Sequence, residues 1–175
     1  MAALAAVGLL GIASPVTADT VGRAVSEYGE KAELILSIAQ FTDWPANLPR
    51  SPQAFVVGVL GVDPFGPVLD RTFAGRKIAG RPAVIRRYAA IDRLDRSDLL
   101  FICVSHRKAF DEILSEIGRS PTLTVADYPG FVVQGGAIEL FMDAGHARFR
   151  VNRRAAESAG LNLRSQLLRS AAYVE

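Results

Sequence analysis

Residues 121–169 read PTLTVADYPGFVVQGGAIELFMDAGHARFRVNRRAAESAGLNLRSQLLR, and the pattern inside this stretch decides the fold. A short apolar run, 122–125, stops at Asp127 and gives way to a loop carrying Tyr128, Pro129, Gly130 and Phe131. The pair Gly135 and Gly136 then opens two alternating segments, 137–142 and 147–151, joined by Asp143-Ala144-Gly145-His146. In Ala147-Arg148-Phe149-Arg150-Val151 the arginines share one side and the apolar residues the other, because strand side chains alternate. This predicts a half-buried antiparallel hairpin, with Gly145 in the connection, where positive φ is costly for other residues. Asn152 is placed to cap a helix through Ala159, and Gly160 to take the left-handed position that ends it. On structure alone, the block is the closing edge of a sheet.

Upstream of it, strands and helices alternate. Residues 54–60 form a continuous apolar run between Pro52 and Gly61, the mark of a strand buried on both faces of a parallel sheet. Asp63 and Pro64 supply a helix cap and a first-turn proline. Residues 73–82 are a glycine-punctuated basic connection, read as a solvated loop. A second strand is expected over 83–88, a short polar crossover over 91–97, a third buried strand over 99–104 and the fourth over 122–125. Ser105 can cap a helix over 107–117, with Phe110, Ile113, Leu114 and Ile117 facing inward and Gly118 as its stop. Ahead of these, Val25, Tyr28, Ala32, Ile35 and Ala39 recur at helical spacing. That long helix ends at Trp44-Pro45, since the residue before proline avoids the helical region. A loop over 45–52 follows. The sum is an α/β protein: a single-domain, three-layer αβα sandwich over residues 19–175. Its sheet is mainly parallel, with right-handed crossovers and a C-terminal antiparallel hairpin.

Residues 1–18 carry no charge, residues 2–13 are apolar, and small or apolar residues precede Asp19. This matches the hydrophobic region and cleavage site of a secretory signal peptide, although no Lys or Arg precedes the apolar run. Pro15 and the short length argue against a membrane span. Removing the leader leaves 175 − 18 = 157 residues, enough for one core. The formal net charge of +2 lacks the clustered basic character that nucleic-acid binding needs. Cys103 is the only cysteine, so no intrachain disulfide can form. Its place in the run Leu99-Leu100-Phe101-Ile102-Cys103-Val104 predicts a buried, unreactive thiol.

No catalytic residue, metal set or cofactor site is assigned. His106 follows a strand end, where α/β proteins often place functional groups, but spacing implies no nucleophile or orienting carboxylate beside it. His146 sits in a hairpin turn, and two scattered histidines with one cysteine offer no metal-ligand spacing. Asp111, Glu112, Glu139 and Asp143 read as surface carboxylates. Gly58 and Gly61 do not make the spacing of a dinucleotide-binding turn. The candidate binding surface is the rim beyond the strands' carboxyl ends, carrying Asp63, Phe65, His106, Asp127, Tyr128 and Phe131. Exposed aromatics there suit a contact surface; the alternative is that Phe65 and Phe131 fold back onto the core.

The run GGAIELFMDAGHARFRVNRRAAESAGLNLRSQLLRSA, with Phe41-Thr42-Asp43-Trp44-Pro45 and Gly58-Val59-Leu60-Gly61-Val62-Asp63-Pro64-Phe65-Gly66 upstream, resembles the YfiR-like family of periplasmic bacterial proteins. The shared pattern is Gly-Gly-x-Ile, a hairpin, Arg-Phe-x-Val/Ile-Asn, then Ala-Ala, Ala-Gly-Leu and Gln-Leu-Leu. It runs from about Lys31 to Ala172. The resemblance implies a periplasmic regulator without catalysis that contacts a membrane-bound signalling protein. In the best-known relatives that partner is a diguanylate cyclase, repressed through its periplasmic domain, and an outer-membrane lipoprotein can sequester the repressor. Disulfides found in some relatives cannot form here. A periplasmic small-molecule sensor acting on another partner, such as a histidine kinase, stays open, and so does a homodimer.

Overall fold

The computed structural model describes residues 18–45, 53–118 and 120–175. The expected leader over 1–18 and the loop over 45–52 lie outside the described residues, apart from Ala18 and Pro45 at their borders.

The long helix α1 spans Ala18–Gln40. Its last carbonyls are taken up locally: the Thr42 hydroxyl donates to the Ile38 carbonyl, and the Trp44 indole to that of Ala39, both at 2.8 Å. A two-residue strand β1 (Thr42–Asp43) follows. The first strand of the main sheet, β2 (Phe55–Leu60), is buried at every position, as a central parallel strand must be. Next come α2 (Pro67–Phe73), β3 (Lys77–Ile78) and β4 (Arg81–Tyr88). A single 3-10 turn at Ile91–Arg93 leads to β5 (Leu99–Ile102). A longer 3-10 segment, Val104–Ala109, leads into α3 (Phe110–Ile117) and then β6 (Leu123–Ala126).

The hairpin read from the sequence is present as β7 (Ile138–Asp143) and β8 (His146–Val151), paired from Ile138 against Val151 to Asp143 against His146. Its turn holds Ala144 at φ 48° and Gly145 at φ 85°, the backbone of a primed two-residue turn. Phe149 and Val151 are buried while Arg148 is exposed. The Asn152 carboxamide oxygen accepts from the Ala155 amide at 3.0 Å and caps α4 (Arg153–Ser158); Gly160 follows at φ 72°. The chain then makes β9 (Asn162–Leu163), α5 (Ser165–Ser170) and β10 (Tyr173–Val174).

The eight-stranded sheet runs β10-β8-β7-β6-β5-β2-β4-β3. Only β7 with β8 and β3 with β4 pair antiparallel within it. From β2 the chain moves to β4 on one side, then back past β2 to β5 on the other. The direction of winding therefore reverses between β2 and β5. Packed on one face is the larger core, where α1, α2, α4 and α5 cover Phe55, Val57, Phe101, Ile138 and Phe149. On the other face α3 and the loop after β6 cover Leu60, Leu100 and Ile102 with Phe110, Ile113 and Phe131. Burying each such large side chain contributes about 1.5–3 kcal/mol.

Several expectations need correction. The helix cap read at Asp63 is an Asx turn, its carboxylate accepting the Phe65 amide at 2.8 Å; α2 starts at Pro67 after Gly66. Ser105 caps no α-helix. It sits inside the 3-10 segment, and its hydroxyl accepts the Val62 amide at 3.1 Å. The basic connection is not all loop, because Lys77 and Ile78 pair with Pro82 and Arg81. The hairpin is not the sheet's edge, because β10 returns parallel to β8 outside it. Glu139 is no surface carboxylate: it is 2 % exposed and ion-paired with Arg150, its cross-strand neighbour.

Candidate functional site

The reversal between β2 and β5 opens a crevice at the strands' carboxyl ends, the place where sheets of this kind take ligands. Here the chain fills it with its own side chains. Phe65, brought in by the Asx turn, lies edge-on between Tyr28 (5.2 Å) and Phe101 (4.8 Å). From α1, the Lys31 ammonium reaches Asp127 at 2.9 Å and Glu27 at 2.5 Å, and lies 4.6 Å from the centre of the Tyr28 ring. The Tyr28 hydroxyl donates to the same Asp127 oxygen at 3.1 Å. Burial, and then the Asp127 charge, push the Tyr28 phenol well above its ordinary range, so it stays a donor. Lys31 is 3 % exposed, which is rare for a lysine and tolerable only with such partners.

The loop after β2 is locked too. Gly61 has φ 106°, and a Cβ there would lie 2.3 Å from the Ser105 hydroxyl and 2.6 Å from His106 Nδ1, so only glycine lets the two loops meet. Arg87, on β4, donates to Asp63 at 2.7 Å, to Asp70 at 2.5 Å and to the Gly66 carbonyl at 2.9 Å. The hydrogen bond to Asp70, foremost, raises the Arg87 guanidinium above its ordinary range, and the same bond holds Asp70 below the usual carboxylate range. Burial pushes the Cys103 thiol up to about 12, with the Asp63 and Asp127 charges adding, so the thiol is inert at neutral pH.

The rim residues expected from the sequence therefore divide. Asp63 and Asp127 stand at the crevice but are committed to Arg87 and to Lys31 with Tyr28. The Nδ1 of half-buried His106 lies 3.2 Å from the Ser105 hydroxyl, and His106 forms no ion pair among the described residues. Exposure of the aromatics is corrected: Phe65, Tyr128 and Phe131 are 3 %, 3 % and 0 % exposed. Phe131 turns inward because Gly136 leaves room for its ring, which a Cβ would meet at 2.3 Å, and it packs on Phe110 and Tyr128. Burial raises the Tyr128 phenol to about 12 against the opposing charge of Arg107, and its hydroxyl has no hydrogen-bond partner among the described residues. Reading the sequence missed Tyr28, Lys31 and Arg87; the one available signal was a lysine interrupting the apolar stripe of α1.

Open space lies elsewhere. A cavity of about 410 Å³ sits near the amino ends of the strands, between α3 and α4, and is lined by Leu114, Thr122, Thr124, Asn152, Arg154 and Glu175 among others. Also at that end, Asp98 accepts two bonds from Arg81, at 2.8 and 3.2 Å, and one from the Val56 amide at 2.8 Å. No group of three or more possible metal ligands occurs among the described residues, and no described helix is long and apolar enough to cross a membrane.

Fold and site together define a three-layer α/β module with a self-filled switch-point crevice. Among the solved structures that share the fold are two. One is a conserved domain protein from Vibrio cholerae, at TM-score 0.57 and 14 % identity, covering 85 % of this chain and 60 % of that one. The other is an ABC domain from Streptococcus pneumoniae in complex with L-Trp, at TM-score 0.57 and 11 % identity, covering 82 % and 60 %. The chain thus spans about 60 % of the length of either structure. No curated protein matches it. Its sequence belongs to the YfiR/HmsC-like family, whose profile matches residues 28–172. That is a family of periplasmic regulatory proteins that work with a membrane signalling protein.

Proposed function

We propose that this protein is an exported, single-domain regulator that represses a membrane-bound diguanylate cyclase by contact with its periplasmic domain, residues 1–18 being its cleaved leader. One observation carries the reading beyond family membership. The crevice that would hold a substrate or cofactor is occupied by Phe65, Lys31 and Asp127, which leaves the loop tips around it as contact surface. Such a protein acts by binding one state of its partner more tightly than another, without catalysis. An outer-membrane lipoprotein that competes for the repressor fits the same scheme. The test is capture from membranes together with cellular cyclic diguanylate after deletion of the gene. A captured cyclase and a rise in the second messenger are expected; no captured membrane protein and an unchanged second messenger would sink the reading.

The cavity of about 410 Å³ between α3 and α4 favours a second reading, a periplasmic small-molecule sensor reporting to another partner such as a histidine kinase. A melting temperature that rises saturably with one member of a metabolite panel would support it; a flat panel would count against it.

A further inference from the structure

The cavity between α3 and α4 has a lining with a definite chemistry. It measures about 410 Å³, within the range of small-molecule sites. Leu114 and Ile117 on the α3 side and Ala155 and Ala159 on the α4 side give it apolar walls. Thr124 of β6 also lines it and is 5 % exposed. The Thr124 hydroxyl accepts the Ala137 amide at 3.0 Å, and its own proton meets no acceptor among the described residues. A buried polar group ordinarily uses what it has. Thr122, two residues earlier, does so: its hydroxyl donates to the Ser97 carbonyl at 2.8 Å. The Thr124 proton is left for whatever enters the cavity.

The charged side chains of the lining are Arg154 and Glu175, one of each sign. Both are exposed, and neither forms an ion pair among the described residues. Arg153 beside them is turned to Glu157 at 2.7 Å, which removes both from the balance. An anion entering here meets Glu175 as well as Arg154, and a cation meets Arg154 as well as Glu175, so net charge gains nothing. Hydroxyl groups do fit, because each one both donates and accepts, whereas Arg154 can only donate and Glu175 only accept. Ser120 and Ser158 add hydroxyls that do both.

We propose that this cavity binds a small uncharged polyhydroxy compound, a monosaccharide by chemical class. Its hydroxyls accept from Thr124 and Arg154 and donate to Glu175, while its C–H faces lie on Leu114, Ile117, Ala155 and Ala159. A handful of hydrogen bonds, each worth little after exchange with water, gives dissociation constants on the order of 0.1–1 mM. The proposal rests on the second functional reading above, the small-molecule sensor, and names its ligand class.

The test titrates the full chain, followed by its amide NMR spectrum, with D-glucose, D-galactose and D-mannose. D-glucuronate and D-glucosamine, which put an anion and a cation on the same ring, are titrated alongside. Expected is saturable movement of the Thr124, Gly135 and Ala155 amides with an uncharged sugar, and binding about tenfold weaker or worse for its charged counterparts. E175Q should weaken the uncharged sugar about tenfold and relieve the penalty on glucuronate. S158W, which fills the cavity from an exposed position, should abolish binding, and R148A on β8 should leave it unchanged. Unchanged thermal melting of E175Q separates lost contact from lost fold. Glucuronate or glucosamine binding more tightly than every uncharged sugar overturns the proposal while the sensor reading stands. So does sugar binding that survives E175Q and S158W unchanged, or a metabolite panel in which only non-sugars raise the melting temperature. Silence from every sugar and from the whole metabolite panel overturns both.

Discussion

Two carboxylates, buried Asp98 and half-buried Asp127, sit at opposite ends of the sheet, and they are held in different ways. At the amino end, Asp98 is clamped in two-point fashion by Arg81 and also accepts the Val56 amide, so one side chain pins the starts of β2, β4 and β5. At the carboxyl end, Asp127 is shared by Lys31 and Tyr28 of α1 and pins a helix to a loop. The planar arginine fork fixes geometry; the lysine is a point charge on a flexible stem. The amino end is cross-linked through Asp98 yet has room beside it for a cavity. At the other end, where this topology usually leaves a ligand crevice, three layers of side chain close the space. Topology offers a crevice, and side-chain volume decides whether it exists.

Substitutions can break that comparison. Asp98→Ala should cost most, about 4–5 kcal/mol in urea unfolding, because a buried amide and a guanidinium lose their shared acceptor. Phe65→Ala should cost about 3–4 kcal/mol and open the crevice, which an apolar probe would report by binding there. A cost below about 1 kcal/mol would mean that Phe65 does not seal it. Lys31→Met should cost about 2–3 kcal/mol, since Asp127 keeps only the Tyr28 hydroxyl, and the double variant Lys31→Met with Asp127→Leu should recover most of that loss.

Smaller effects sharpen the picture. Arg87 holds the Asp70 carboxyl below its ordinary range. A lowered folded-state pKa stabilises above the ordinary carboxylate range, and that contribution disappears as pH falls through the folded value. Asp70→Asn should therefore be less stable than the parent near neutrality, by about 0.5 kcal/mol at most for so exposed a pair, and indistinguishable from it in strong acid. Denaturant midpoints at a series of pH values check this; a gap that widens in acid would reverse the sign. Tyr128→Phe should fall within about 0.5 kcal/mol of the parent or be slightly more stable, because the buried hydroxyl it removes has no hydrogen-bond partner among the described residues.

The hairpin of β7 and β8, the Asn152 cap, the Gly160 stop and the buried strands β2 and β5 were legible because each is written locally, in alternation, a capping side chain or an unbroken apolar run. Their order over the chain also carried the family. The short pairs β1 with β9 and β8 with β10 were not legible, since two residues leave no period to read and their partners lie far away in sequence. Asp63 and Ser105 show how a local signal misleads: both are good caps by residue type, and both are engaged by other amides once the loops after β2 and β5 meet. The aromatic rim failed for a related reason. Side chains of Phe65, Tyr128 and Phe131 are large enough to reach the core from a loop, and burial stabilises each by more than exposure could.

By itself, then, the sequence determined the layered α/β class, the succession of the longer strands and helices and the family, all encoded by neighbours within a few turns or residues. Only the tertiary structure decided that Lys31 of α1 meets Asp127 nearly a hundred positions later, that the crevice is full, and that Phe65, Tyr128 and Phe131 turn inward from its loops. Those facts depend on which side chains occupy one small volume, a quantity no single segment contains.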